Sequence, residues 1–362
     1  MTATQAEVKA AAKPDNTSPI YRPKSAVFWL YGLTLVIGVL TLSSDRGSAI
    51  GATFATQIEL WWLWGAFVVL LLWLMFQFDP YRSGRAYPQI LIAGMALGGT
   101  IAITMAGMGN GAMDGIWSRW LDPETMAAWS AALSAPLIEE ASKAMCALVV
   151  LVLCAPVFNR LSQAMMLGMF VGFGFDLTED LDYAANDALG SLDSDYAAVH
   201  DELLIRFLTA VPAHWAYTAL ATMGVMVLLP WFHKRGQWSW PKRLLLAFSL
   251  MASAWLMHFL WDAPNFVDSD NLAILIKVVL NVVIFFVPVL LLMRHERDWV
   301  HERIEAGRTT FLADFDAALL DSLLTRRGRR ALRRTARSTG GWAAAKTVRR
   351  RQRRALDVIQ TA

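Results

Sequence analysis

The chain has 362 residues, of which 56% are hydrophobic and 17% charged, with 16 Trp and a mean hydropathy of +0.39. These values exclude an ordinary soluble domain and describe a polytopic membrane protein. The formal net charge of +3 is uninformative as a sum because the charges are segregated along the chain. Cys146 and Cys154 share one apolar stretch, which excludes both a disulfide-stapled scaffold and a zinc finger.

Residues 1–24 are polar, include Lys9, Lys13, Arg22 and Lys24, and read as a disordered cytoplasmic tail. The apolar run that follows lacks a small-residue cleavage site and reads as a signal anchor. Eight stretches meet the need for about 20 mostly apolar residues: 26–42, 60–78, 88–108, 134–158, 162–177, 204–231, 243–262 and 272–293. The third is rich in Gly and Ala, which permits close helix contact. Residues 113–129 mix Trp, Asp and Arg and predict an interfacial helix. No internal repeat and no discontinuous half-helix is visible. The expected fold is all-α: an eight-span bundle over 25–294, then a cytoplasmic basic tail over 295–362.

Charge sets the topology. Lys and Arg gather in the N-terminal tail, at Arg82 and Arg85, at Arg160, at Lys234, Arg235, Lys242 and Arg243, and in the C-terminal tail. The loop after the fifth stretch instead holds Asp180, Asp182, Asp187, Asp193, Asp195, Asp201 and Glu202. The positive-inside rule places both termini in the cytoplasm, in a cell membrane.

Seven ionisable groups fall within apolar segments at an expense of roughly 2.5–3.5 kcal/mol each, or next to them. Glu139 and Glu140 open the predicted fourth helix, with Lys143 one turn on; Glu179 ends the fifth, His214 lies in the sixth, and His258 and Asp262 are i, i+4 on the seventh. At about 1.5 Å per residue, Glu140 and Glu179 lie roughly 30 and 28 Å from Arg160. His214 lies roughly 30 Å from Lys234, and His258 and Asp262 roughly 22 and 28 Å from Arg243, by the same rise. Four helices thus bring polar groups to one height, away from the cytoplasm.

Each group has a plainer reading: acids at a helix start complement its dipole, and a lone histidine often satisfies a bundle. Together, a carboxylate and two imidazoles suit hydrolysis. Either a glutamate takes a proton from water while histidines orient it, or His214, His258 and Glu140 hold zinc. The helical H-E-x-x-H pattern is absent, which favours the metal-independent route. Buried acids and histidines also build ion- or proton-coupled transporters, and a silent scaffold acting through its tail is a third reading.

Four short motifs resemble the PrsW intramembrane proteases. Glu139-Glu140-Ala-Ser-Lys143 looks like their E-E-x-x-K; Gly172-Phe-Gly-Phe-Asp-Leu-Thr-Glu179, His214-Trp-Ala-Tyr-Thr-Ala-Leu and His258-Phe-Leu-Trp-Asp262 follow in the family's order. The wider group of CAAX prenyl endopeptidases and bacteriocin-immunity proteins is similar. There the patterns are E-E-x-x-x-R and F-x-x-x-H, from which this chain departs at Lys143 and Ala210. The resemblance implies a metalloprotease that cleaves a single-span membrane protein near its extracytoplasmic side, with an anti-sigma factor as the best-known substrate type. It implies Glu139, Glu140, Glu179, His214, His258 and Asp262 as the catalytic set, with Lys143 supporting.

The tail over 303–324 reads as an amphipathic helix with Ile304, Phe311, Leu312, Phe315, Leu319, Leu320, Leu323 and Leu324 on its apolar side. Arginines follow from Arg326 to Arg354. Anionic lipid of the inner leaflet is the expected partner; nucleic acid is not expected, since no aromatic residues interleave the charge.

Overall fold

The computed structural model describes residues 19–155, 157–267 and 269–362, and their regular structure is entirely helical. Two compact units divide the described chain: Pro19–Met75 with Gln89–Pro288, and Phe76–Pro88 with Val289–Ala362. The expected tail over 1–24 falls mostly outside the described residues.

The first unit is built from α1 (Ala26–Ala52), α2 (Phe54–Glu59), α3 (Trp61–Gln77), α4 (Pro88–Trp117), α5 (Pro123–Leu153), α6 (Leu161–Gly190), α7 (Asp195–Thr209), α8 (His214–Leu228), α9 (Trp240–Asp262) and the first part of α10 (Asp270–Ala306). Five of these, α1, α4, α6, α9 and α10, are long and apolar enough to cross a membrane. The pair α7 and α8, bent by 45°, makes a sixth if taken as one span. The expectation of eight is not confirmed, for two physical reasons. Over 60–78 the chain forms a helix of only 17 residues, and α5 carries Glu139, Glu140 and Lys143 in its middle. The expected span over 204–231 is discontinuous, because residues 210–213 interrupt it.

α5 also corrects two local expectations. Pro123 starts it, in the first-turn position proline favours, and Asp122 caps it by accepting from Glu124 and Thr125 N–H at 3.1 and 3.0 Å. Residues 113–129 therefore hold the end of α4, a turn and the start of α5, with no separate interfacial helix. Glu139 and Glu140 lie mid-helix, about 24 Å along α5 by helical rise.

α6 is the central helix, with 89% of its most apolar window buried. Missing side chains let its neighbours close in. A Cβ at Gly172 would lie 2.6 Å from the His214 carbonyl carbon, and one at Gly168 would lie 2.5 Å from the Thr218 carbonyl oxygen. On the other flank, the Thr178 hydroxyl donates to the Gly99 carbonyl at 2.9 Å, beside the π-helical turn Gly98–Ala102 of α4. Lys277 of α10 closes the end of α9, its ammonium donating to the carbonyls of Trp261 at 3.0 Å and Ala263 at 2.5 Å. Cys146 and Cys154 are free and buried.

The second unit joins the end of α10, α11 (Arg308–Phe311), α12 (Ala317–Ser322) and α13 (Arg326–Thr361) to the Phe76–Pro88 segment. It takes up the chain again at Val289, inside α10. The single amphipathic helix expected over 303–324 is broken at Gly307 and again over 312–316. Of its apolar residues, Ile304, Phe311, Phe315, Leu319, Leu320 and Leu323 form a small core with Tyr81, Ala355, Leu356 and Ile359, Leu324 packs against it, and Leu312 is exposed. Tyr81 Oη donates to the Leu324 carbonyl at 2.8 Å, and Arg82 Nε to Asp357 at 2.5 Å. The arginine-rich segment is helical apart from Gly340 and Gly341, the latter at φ +70°. Gln352 of the second arm reaches back to Ser322 Oγ and the Arg329 carbonyl.

Candidate active site

Lys143 is the hub of the site. Its side chain is fully buried, with Nζ 2.7 Å from Glu140 Oε1 and 3.4 Å from Glu139 Oε2. It donates to His214 Nδ1 at 2.7 Å and lies 4.1 Å above the Phe175 ring. Glutamates at i−4 and i−3 on α5 share a helix face with the lysine, so both meet it. Sequence reasoning assigns Lys143 only a supporting part.

The two glutamates are held differently. Glu139 accepts from Asn110 Nδ2 of α4 at 3.0 Å, and its Oε2 lies 3.8 Å from both His214 Nδ1 and His258 Nε2. Glu140 accepts from His258 Nδ1 at 3.1 Å and from the Thr218 hydroxyl at 3.3 Å. Each imidazole therefore turns one nitrogen toward Glu139 and has its other against another carboxylate, because His214 Nε2 donates to Glu179 Oε2 at 3.0 Å. The two rings meet edge-on, 4.8 Å apart, and His258 stacks on Tyr217 at 5.2 Å. Asp262 is 3.4 Å from His258 Nε2, as the i, i+4 spacing on α9 predicts. The structure thus brings together every expected residue: Glu139, Glu140, Lys143, Glu179, His214, His258 and Asp262.

Other contributors were missed. Asp176 caps α8 across the bundle: its carboxyl oxygens accept from the backbone N–H groups of His214 and Trp215, each at 3.2 Å. A helix begun at a functional histidine has unpaired N–H groups just there, and a carboxyl on the neighbouring helix satisfies them. The Asp within the α6 motif was the available signal. Asn110 and Thr218 had none, since single polar residues in apolar runs are common. Beside His214 lies a cavity of about 40 Å³ lined by Asp176, Asp180, Arg206, Thr209 and Tyr217, among others.

A family model described as PrsW family intramembrane metalloprotease matches residues 87–293, more than half of the chain. The chain belongs to the PrsW family. It is a PrsW-like membrane peptidase, and every site residue above lies within the matched stretch. No curated protein and no solved structure matches it. Membership in a peptidase family displaces the transporter reading, even though the discontinuous helix that would have favoured that reading is present between α7 and α8.

The family description names a metalloprotease, and the site holds donors that suit a metal. Glu139, His214 and His258, all buried, can each offer one ligand atom within 4.8 Å of the others, a two-histidine, one-carboxylate set of the kind that holds zinc in hydrolases. The carboxylate is Glu139, where the sequence pointed to Glu140. Ligating histidines are commonly steadied by a carboxylate on the far nitrogen, and Glu179 and Glu140 stand in those places. Seven carboxyl groups (Glu139, Glu140, Asp176, Glu179, Asp180, Glu202, Asp262) lie in or beside the cluster, and two permanent cations, Lys143 and Arg206, pair with five of them, an imbalance that a divalent ion would relieve. The residues fit, on one condition: the Lys143 ammonium at His214 Nδ1 must turn toward Glu140 for that nitrogen to ligate.

Proposed function

We propose that this peptidase hydrolyses a peptide bond of a single-span membrane protein, close to the extracytoplasmic face of the plasma membrane. The observation that carries the proposal is the buried convergence of Glu139, Glu140, His214 and His258 around Lys143. The segregation of basic loops supports eight crossings with both termini cytoplasmic. The acidic stretch after Glu179 then faces outward, and with it the site. An anti-sigma factor is the substrate type to which the family resemblance points.

Glu140 is the residue placed to take a proton from water. Lys143, His258 and Thr218 steady it, and a positioned base of this kind supplies about 10²–10⁴-fold. The same carboxyl then returns the proton to the departing amine. A bound metal ion would supply Lewis-acid polarisation of the scissile carbonyl and of water, and Glu139, His214 and His258 would hold it. Lys143 keeps positive charge next to the carboxylates, which offsets the cost of burying them. Asp176 and Glu179 hold the backbone and ring of His214 in register. The arginine-rich second unit engages anionic lipid of the inner leaflet.

The test is incubation of the purified full-length protein with fluorescent single-span polypeptides in micelles, beside Glu140→Gln. Cleavage by the wild type and none by the variant is expected. No cleavage by the wild type of any polypeptide in the set would overturn the proposal.

A further inference from the structure

We infer that Arg206 is a positioning residue for peptide hydrolysis, acting through Glu179 on the imidazole of His214; the inference rests on the site reading given above. Arg206 lies on α7, outside the four motifs and on the far side of the helix break from His214. Its Nη1 is 3.3 Å from Glu179 Oε2, the same oxygen that accepts from His214 Nε2 at 3.0 Å. It also meets Asp180 Oδ1 at 3.4 Å, and its Nε donates to Glu202 at 2.8 Å. The guanidinium is stacked 3.9 Å over the Tyr183 ring. One planar cation therefore fixes three carboxyl groups and is itself fixed by an aromatic face, a geometry that the point charge of lysine does not reproduce.

The consequence for the site is a matter of order. A carboxylate with a single partner can rotate; Glu179 has Arg206 on one side and His214 on the other, so its oxygen is held where His214 Nε2 needs it. With the Nε2 proton given to Glu179, the lone pair of His214 points from Nδ1 toward Lys143 and Glu139. Such outer carboxylates commonly contribute about 10–100-fold in activity or metal affinity. Docking of α7 does not depend on this contact. Val199 and Leu203 bury themselves against Leu60, Leu63, Ala184 and Ala188, so removal of the arginine leaves the apolar attachment of the helix intact.

The experiment compares full-length wild type, Arg206→Gln, Arg206→Lys, Glu179→Gln and the double variant in micelles. Two readouts are used: cleavage of the fluorescent single-span polypeptides, and the nitrogen-15 shifts of His214, assigned with His214→Gln, which report which ring nitrogen carries the proton. Arg206→Gln is expected to lower kcat by about 10–100-fold with KM within about twofold and to mix the two ring-proton positions of His214. It also lowers the unfolding temperature, since Glu179 and Asp180 lose their cation, so the His214 signals carry the distinction from a merely structural role. Arg206→Lys should recover part of the loss. Because the effect passes through Glu179, the double variant should be no slower than Glu179→Gln alone. Wild-type His214 signals in Arg206→Gln, or losses that add in the double variant, would overturn the inference. Should Arg206→Gln not fold, Arg206→Lys carries the same comparison. Should the wild type cleave nothing, the proposed function fails, while the His214 signals still decide the role of Arg206.

Discussion

Lys143 Nζ stands 2.7 Å from His214 Nδ1, so the ammonium of α5 and the imidazole of α8 form a single unit with the glutamates one turn before the lysine. Lys143 is fully buried and His214 is 8% exposed. Cutting one member out of a buried set of charges leaves the others uncompensated, at about 3–5 kcal/mol. Lys143→Met should therefore lower the unfolding temperature in detergent markedly. Adding Glu140→Gln should recover part of the loss. A Lys143→Met protein as stable as wild type would show that the cluster does not depend on its cation.

Glu140→Gln, His214→Ala and His258→Ala should each reduce cleavage by at least about 100-fold without preventing membrane insertion, as followed by accessibility labelling of the loops. Glu139→Gln should be comparably damaging. Near wild-type cleavage by any two of the first three would sink the site assignment.

Zinc binding should depend on Glu139, His214 and His258. Equilibrium dialysis should find about one zinc per chain in the wild type, with affinity lowered by about 10–100-fold in Glu179→Gln and more in Glu139→Gln. Glu124→Gln, at the exposed start of α5, should leave it unchanged. Activity should fall with chelator and return with zinc; cleavage indifferent to chelation would favour the glutamate route without metal.

Gly172→Ala places a methyl group against the backbone of His214 and should push α6 and α8 apart. The expected result is loss of activity and a stability loss of about 1–3 kcal/mol. Gly190→Ala, with open space around it, should be silent in both assays.

The arginines of α13 should bind anionic lipid mainly through charge, because the apolar side of 303–324 is, except for Leu312, covered within its own unit. In nanodiscs, trypsin should cut α13 more slowly on anionic than on neutral lipid, and salt should remove the difference. Leu320→Asp, which puts a charge into that small core, should speed cutting on both lipids while leaving peptidase activity intact.

The site was more legible than the spans. Glu139 and Lys143 are one turn apart on any helix, and His258 and Asp262 likewise, so short-range geometry carried over directly. The helix start was misread because a glutamate pair looks like a first turn, whereas the cap is Asp122. Those same charges keep α5 from passing as an apolar span: what makes the site obscures the fold. Asp176, Asn110 and Arg206 act across helices, and no local spacing reports which helices touch. The tail misled for a related reason, since an apolar stripe states that something covers it without saying whether lipid or protein does.

The Lys277 contact with the end of α9 bears on how the molecule is made. Membrane chains emerge from N- to C-terminus, and every candidate catalytic side chain has been synthesised by Asp262. The carbonyls of Trp261 and Ala263 still wait for a donor that lies in the last hydrophobic helix. A nascent chain that ends before residue 277 thus carries every candidate catalytic side chain but lacks the ammonium that closes α9.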